Sequence, residues 1–253
     1  MKEKTWWTPD ELAITERKFR SIKNISEIDT KNDFGSYRKM LLTGDKSASE
    51  IKSHNDINPI RKIQLIKKRL KLSNSNHILD AGCGLGYTTT ALANSFVKSK
   101  VTGIDISEDA IEYAKQNFHN AEFKSLAISP SSEKIGKFDC IFCFEFYPFT
   151  RNKDSSLQSK FLEYFSAQLN PLGTIVIYQA WNNPNSLVAI LDEVKSLCPN
   201  LHFCIYTIPH PKLPTWLPFW AATIISHLLC FLGLDGLKRI IAIKNRNPTK
   251  NKE

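Results

Sequence analysis

The stretch His77-Ile78-Leu79-Asp80-Ala81-Gly82-Cys83-Gly84-Leu85-Gly86 constrains this chain more than any other. A short apolar run ends in an acid, and three glycines then fall at alternate positions. An alanine- and threonine-rich segment with helical character begins at Tyr87. The pattern predicts a strand, a tight turn and a helix N-terminus. Glycines suit such a turn because they lack the Cβ that would block a sharp bend or the close approach of a ligand.

From His77 onward, strand-like and helix-like patterns alternate. Strands are expected at 77–81, 100–106, 121–126, 138–144, 174–178, 202–208 and 239–243, with helical patterns between most of them. Ser107 is an N-cap for one helix, with Glu108 and Asp109 in its first turn. Asn170-Pro171-Leu172-Gly173 breaks the chain before the fifth strand, and Asn183-Pro184 starts another helix. This alternation implies an α/β fold: a doubly wound, mostly parallel seven-stranded sheet covered on both faces. A main domain over 57–253 is expected, preceded by an N-terminal helical extension or lid over 1–56 and interrupted by a hydrophobic insertion at about 209–236.

In the extension, Trp6, Trp7, Leu12, Ile14 and Phe19 are spaced to pack a first helix, and Phe34 and Tyr37 to pin the segment to the domain. Asn58-Pro59 opens an amphipathic helix with Ile60, Ile63, Ile66 and Leu70 on one face. Arg61, Lys62, Lys67, Lys68 and Lys71 on the other read as solvated.

The net charge of +9 is unevenly spread. Residues 1–76 carry 17 Lys and Arg against 10 acids and residues 210–253 carry 7 against 2, whereas the middle carries 10 against 13. Basic flanks suit either nucleic acid or anionic lipid, or simply a solvated surface. The six cysteines, at 83, 140, 143, 198, 204 and 230, follow no disulfide or zinc spacing. Cys140 and Cys143 are three apart in a strand, so their side chains point to opposite faces and no metal site is expected. The N-terminal residues contain no apolar run of signal-peptide length, and a cytoplasmic protein is the expectation.

Two placements carry chemistry. The glycine turn falls at the C-terminal end of the first strand, where doubly wound sheets bind ligands. Asp105 ends the next strand, 19 residues after Gly86, where a carboxylate can accept hydrogen bonds from ribose hydroxyls. A dinucleotide fingerprint needs G-x-G-x-x-G, but position 87 is Tyr87 and the glycines alternate strictly. Asp80 before the turn suits a cationic or amine-bearing ligand better than a pyrophosphate.

At these residues the sequence resembles the class I S-adenosylmethionine-dependent methyltransferases. Ile78 to Gly86 is similar to that family's first motif, and Val101-Thr102-Gly103-Ile104-Asp105-Ile106-Ser107 to its second strand and ribose-binding acid. Phe138-Asp139-Cys140-Ile141-Phe142 resembles its fourth strand, and Leu169 to Thr174 its turn into the fifth. The resemblance implies a Rossmann-like methyltransferase sheet with S-adenosyl-L-methionine as cofactor. Asp80, Ala81, Gly82, Cys83, Gly84 and Gly86 would then line its methionine and ribose. Asp105 would take the ribose hydroxyls, Ile106 would pack on adenine, and Phe144 would sit near the sulfonium. The sequence departs from the family after the third strand: Leu126 or Ala127 stands where many members carry an acid for the adenine amino group. Adenine is then left to backbone groups and apolar packing.

The acceptor is less constrained. Glu145 and Tyr147, just past the fourth strand, are the candidates for a general base. Neither Asn-Pro-Pro-Tyr nor a Pro-Cys nucleophile is present, which argues against a nucleic-acid substrate. The alternatives to a small-molecule enzyme are an RNA or protein methyltransferase, and a non-catalytic relative that retains cofactor binding. The insertion runs through a proline-rich entry into Phe219–Leu234, nearly all apolar, with Thr223, Ser226, His227 and Cys230 as its polar or small stripe. About 14 residues fit before Gly233, short of the ~20 that span a bilayer. A helix apolar nearly all round is expected to be buried, here as a lid over the substrate pocket. The competing expectation is peripheral membrane contact through 216–234. Either favours a small hydrophobic or lipid-like methyl acceptor.

Overall fold

A computed structural model describes residues 59–72, 75–150, 153–180, 187–211, 213–214, 216–232 and 237–246. The expected extension over 1–56, with Trp6, Trp7, Phe34 and Tyr37, lies outside the described residues, as does the helix start at Asn183-Pro184.

Seven strands form one sheet: β1 (His77–Ala81), β2 (Lys100–Asp105), β3 (Glu122–Ser125), β4 (Phe138–Phe144), β5 (Leu169–Ala180), β6 (Leu201–Pro209) and β7 (Leu237–Asn245). Their order is β3-β2-β1-β4-β5-β7-β6. β7 is antiparallel to both its neighbours, and the other described pairings are parallel. The helices are α1 (Pro59–Leu70), α2 (Tyr87–Ser95), α3 (Glu108–Asn117), α4 (Tyr147–Thr150), α5 (Ser155–Ser166), α6 (Leu191–Leu197) and α7 (Phe219–Phe231). A 3₁₀ turn at Leu187–Ile190 leads into α6.

Strand alternation divides the core in two. Leu79, Ile141, Cys143, Ile175 and Ile177 face α5 and α6, meeting Phe161, Leu162, Phe165 and Val194. Ile78, Cys140, Phe142, Phe144, Val176 and Tyr178 face α1 and α2, meeting Ile63, Ile66, Ala91 and Leu92. The two cysteines of the Cys-x-x-Cys pair therefore lie on opposite faces, and burial pushes both thiols well above their ordinary range.

Three expectations need correction. The fifth strand does not begin after the Asn170–Gly173 break but runs from Leu169, which pairs with Phe138 before the register jumps to Cys140 and Thr174. The intervening residues bulge outward, with Leu172 left-handed at φ 68° and largely exposed. The Asp139 carboxylate holds this junction, accepting from Asn76 N, His77 N and Asn170 Nδ2 at 2.7, 3.0 and 2.8 Å.

Secondly, the basic side of α1 is not simply solvated. Lys62 lies over the rings of Phe144 and Tyr178, Lys67 over Phe96, Lys68 over Phe219 and Arg69 over Tyr206. Long aliphatic stems let such side chains cover apolar surface while the charge stays near water.

Thirdly, α7 is not buried all round. Its fully buried positions are the small Ala222 and Ser226; Phe219, Ile225 and Leu229 are half-buried, and Trp220, Ile224, Leu228 and Phe231 face outward. Ser226 Oγ accepts from His210 N at 3.0 Å, which anchors the helix to the end of β6.

Candidate cofactor and acceptor site

The glycine turn caps the C-terminal end of β1. Gly82 N and Cys83 N both donate to Ile104 O, at 2.8 and 3.0 Å, bending the chain over β2. Gly82, Gly84 and Gly86 all have positive φ, at 76°, 52° and 85°. At two of them space is also decisive. A Cβ on Gly82 would meet Phe146 Cδ2 at 2.8 Å, and one on Gly86 would meet Phe123 Cε1 at 2.8 Å and Ala114 Cβ at 2.9 Å.

Two buried carboxylates flank the turn. Asp105 accepts from Gly84 N at 2.8 Å through Oδ2 and from Ser107 N at 2.9 Å through Oδ1. Burial raises its pKa, against the pull of these backbone donors. A carboxylate offers about four acceptor positions, so Asp105 keeps capacity for two hydroxyls. Asp80 Oδ2 accepts from Thr89 Oγ1 at 2.7 Å and Thr88 Oγ1 at 3.0 Å. Its Oδ1 is buried and has no hydrogen-bond partner among the described residues. Burial lifts the Asp80 pKa to about 6, opposed by the two threonines and by the charge of Lys62. An orphaned acceptor beside a buried anion is the environment that a ligand ammonium group satisfies. The residues present therefore fit S-adenosylmethionine, which carries an ammonium, a sulfonium and a ribose diol.

The remaining expected residues sit as follows. Ala81 is buried on the α5 face of the sheet, and Cys83 is buried beneath the turn, its thiol pushed up by burial. Ile106 is half-buried immediately after β2. Leu126 N donates to Asp105 O at 2.9 Å, so the segment lacking the usual acid still lies beside the strand end that carries Asp105. Ser107 caps α3 as expected, accepting from Ala110 N at 3.3 Å.

Phe144 is stacked on Phe142, 5.5 Å between ring centroids, within the α1-side core. The ring that reaches the glycine turn is that of Phe146, which sequence reasoning missed. Strand alternation would put residues 144 and 146 on one face. Between them Glu145 adopts φ 51°, and this left-handed residue turns Phe146 to the other side, among Phe149, Phe161 and Phe165. Such a conformation costs a non-glycine residue about 1 kcal/mol or more and marks a functional candidate. Glu145 itself is exposed at the site edge, its N–H donating to Tyr178 O at 3.3 Å. Tyr147 begins α4, and its side chain lies outside the described residues.

Two further residues at this edge carried no sequence signal. Lys62 comes from α1, with its ammonium 4.7 Å from the Tyr178 ring centre. Gln179, one residue further along β5, is buried with neither amide atom hydrogen-bonded among the described residues. The described cleft lined by His77, Lys100, Glu122 and Phe138 lies at the opposite, N-terminal edge of the sheet and takes no part in this site. No group of three or more metal-ligating side chains gathers among the described residues.

The sheet order, the glycine turn and the paired acids define a nucleoside-binding α/β domain of the kind seen in methyl-transfer enzymes. Residues 72–227 match the family model described as a methyltransferase domain, and the chain belongs to that family, within the class I S-adenosylmethionine-dependent methyltransferases. Its relatives include a ubiquinone biosynthesis O-methyltransferase of Coxiella burnetii, 33% identical over 102 residues, which are 39% of this chain and 42% of that protein. A trans-aconitate 2-methyltransferase of Delftia acidovorans is 27% identical over 131 residues, 51% of this chain and 47% of that one. The chain spans about half the length of the curated relatives it matches. Among solved structures, the N-methyltransferase NodS of Bradyrhizobium japonicum with S-adenosyl-L-homocysteine shares the fold. Its TM-score is 0.56 at 16% identity, covering 85% of this chain and 98% of that one.

Proposed function

We propose that this chain transfers a methyl group from S-adenosylmethionine to an O, N or C atom of a small, hydrophobic or lipid-like acceptor. The observation that carries the acceptor class is the aromatic wall beside the glycine turn, where Phe146 lies against Gly82 and is backed by Phe149, Phe161 and Phe165. The ubiquinone-biosynthesis and trans-aconitate relatives are both named for small-molecule metabolism, which supports a small-molecule acceptor; only the first name points to a lipid-like one.

The cofactor supplies an electrophilic methyl group on sulfonium. Asp80 Oδ1 accepts from the amino group, and Asp105 uses its two remaining acceptor positions for the ribose diol. Gly82, Gly84 and Gly86 would keep the backbone low enough for close approach, and Ile106 would pack against the base. Methyl transfer is an in-line displacement, so most of the protein's contribution is to hold two reactants in line and exclude water. Phe146 provides the apolar contact that does both. The Gln179 amide, buried and unsatisfied, gives the acceptor's polar atom a partner. Glu145 and Tyr147 are the groups placed to remove a proton from a hydroxyl or amine acceptor.

The test is methyl incorporation from labelled S-adenosylmethionine into a lipid and metabolite extract, beside calorimetry with S-adenosylhomocysteine. Label in an organic-soluble small molecule, with binding abolished by Asp105→Ala, is the expected result. Binding without turnover in any extract would make the chain a cofactor-binding relative. Loss of incorporation on RNase or protease treatment would move the acceptor to RNA or protein.

A further inference from the structure

We infer that α7 and the basic helix α1 form a docking surface for an anionic lipid bilayer, on which the protein lies peripherally at its active-site edge. The first observation is the inverted packing of α7. Trp216, Trp220, Ile224, Leu228, Phe231 and Leu232 are all exposed, Trp220 at 68% and Phe231 at 88%, while the buried positions hold only Ala222 and Ser226. Along the helix the exposed residues recur at three- and four-residue steps, so they form one stripe. Contiguous apolar patches of this kind on a protein surface mark interaction sites.

Charge selects the partner. Residues 57–76 contain six Lys and Arg and no acid, and residues 209–234 contain one Lys and no acid. The two segments are joined in space: Lys68 Nζ lies 5.5 Å from the ring centre of Phe219 at the start of α7, and Arg69 lies 5.2 Å from that of Tyr206 on β6. An apolar stripe bordered by cations, with no carboxylate between them among the described residues, complements a surface that is apolar within and negative at its rim. Anionic bilayers present that surface, and tryptophan is the residue enriched at its boundary. A globular partner would need its own apolar patch ringed by acids, which nothing here specifies.

Geometry fixes how the bilayer is met. α7 has 13 residues, about 20 Å of helix, against a hydrocarbon core of about 30 Å. No described helix is long and apolar enough to cross a membrane. α7 therefore lies in the interface plane with its stripe inserted. β6 ends at Pro209 opposite the start of β7 at Leu237, so the insertion leaves and rejoins the sheet at one edge. Because β6 runs parallel to β1, that edge is the one bearing the glycine turn. Docking through α7 brings the site's mouth to the membrane.

The test uses the full chain with sedimented vesicles of phosphatidylglycerol and phosphatidylcholine, and with phosphatidylcholine alone. Binding to the anionic vesicles is expected, weakening with salt, together with a blue shift in tryptophan emission. Trp220→Ser/Phe231→Ser is expected to weaken it by about tenfold or more, and Lys68→Gln/Arg69→Gln to flatten the salt dependence. Calorimetry with S-adenosylhomocysteine should read the same affinity for all variants, showing that each remains folded and separating this outcome from failure of the methyltransferase reading. No binding to anionic vesicles overturns the inference, as does undiminished binding by the Trp220/Phe231 variant. A dimer that this variant converts to monomer, without vesicle binding, would show that a second copy covers the stripe and would also overturn it.

Discussion

The two faces of the sheet are covered in opposite ways. On one, α5 and α6 drive large side chains inward, and Phe146, Phe149, Phe161, Tyr164 and Phe165 pack ring against ring with centroids about 6 Å apart. On the other, the sheet meets a buried carboxylate at Asp80, cations laid over rings by α1, and a helix that leaves Trp220, Ile224, Leu228 and Phe231 exposed. α7 is the more apolar of the two helices, yet α5 is the one that buries its large side chains. What differs is the size of the side chains at the spacing that meets the sheet. The first face is built for cohesion. The second carries one unsatisfied carboxylate oxygen, Asp80 Oδ1, and an exposed apolar stripe, which a ligand and a surface respectively would satisfy.

That contrast can be broken by experiment. Phe165→Ala should cost the most, about 3–5 kcal/mol in denaturant unfolding, because it empties a fully buried aromatic site. A loss below about 1 kcal/mol would deny the first face its structural role.

Next comes Asp80, whose pKa of about 6 lies above its ordinary 3.8. The folded state holds this proton more tightly than the unfolded one, so the Asp80 contribution to stability is fully present below pH 4 and is lost as pH rises through 6. The loss amounts to about 3 kcal/mol by neutral pH. Asp80→Asn should remove this slope. Affinity for S-adenosylhomocysteine should run the other way, rising as Asp80 ionises. A flat affinity profile would mean that Asp80 does not meet the ligand ammonium.

Ser226→Leu should cost about 1–3 kcal/mol by overfilling a buried position and losing the bond from His210 N. Tolerance of that change would show that the small-side-inward packing of α7 is not required. Smallest of all, Trp220→Ser or Phe231→Ser should shift stability by no more than about 0.5 kcal/mol, although these are among the largest apolar residues in the chain. A large destabilisation would mean that they are buried in solution.

Much of the sheet and of the glycine turn's geometry was legible because their determinants are local. Gly82, Gly84 and Gly86 answer to backbone angles at those residues, and Asp105 to its position at a strand end. Cys140 and Cys143 follow the two-residue period to opposite faces. Legibility failed where the period itself was interrupted. Glu145 in the left-handed region moved Phe146, not Phe144, against the glycine turn, and Leu172 in the same region let β5 start earlier than its break signal implied. It failed again where a side chain's role is set by a distant element. Lys62 reads as a surface lysine until α1 is laid across β4 and β5, and Gln179 as an ordinary strand residue until its burial is seen.

The sequence by itself determined the class of fold, the cofactor turn and the two acids beside it. These depend on residue type at fixed spacing along one continuous segment. Only the tertiary structure decided which ring meets the glycine turn, which cation lies over Phe144 and Tyr178, and which side of α7 is left outside. Those outcomes depend on how sheet faces, helix rotations and one reversed strand meet. The small and polar stripe of α7 did not mark its buried side: of Thr223, Ser226, His227 and Cys230 only Ser226 is buried, beside Ala222, because the rotation of the helix on the sheet is set by what it packs against.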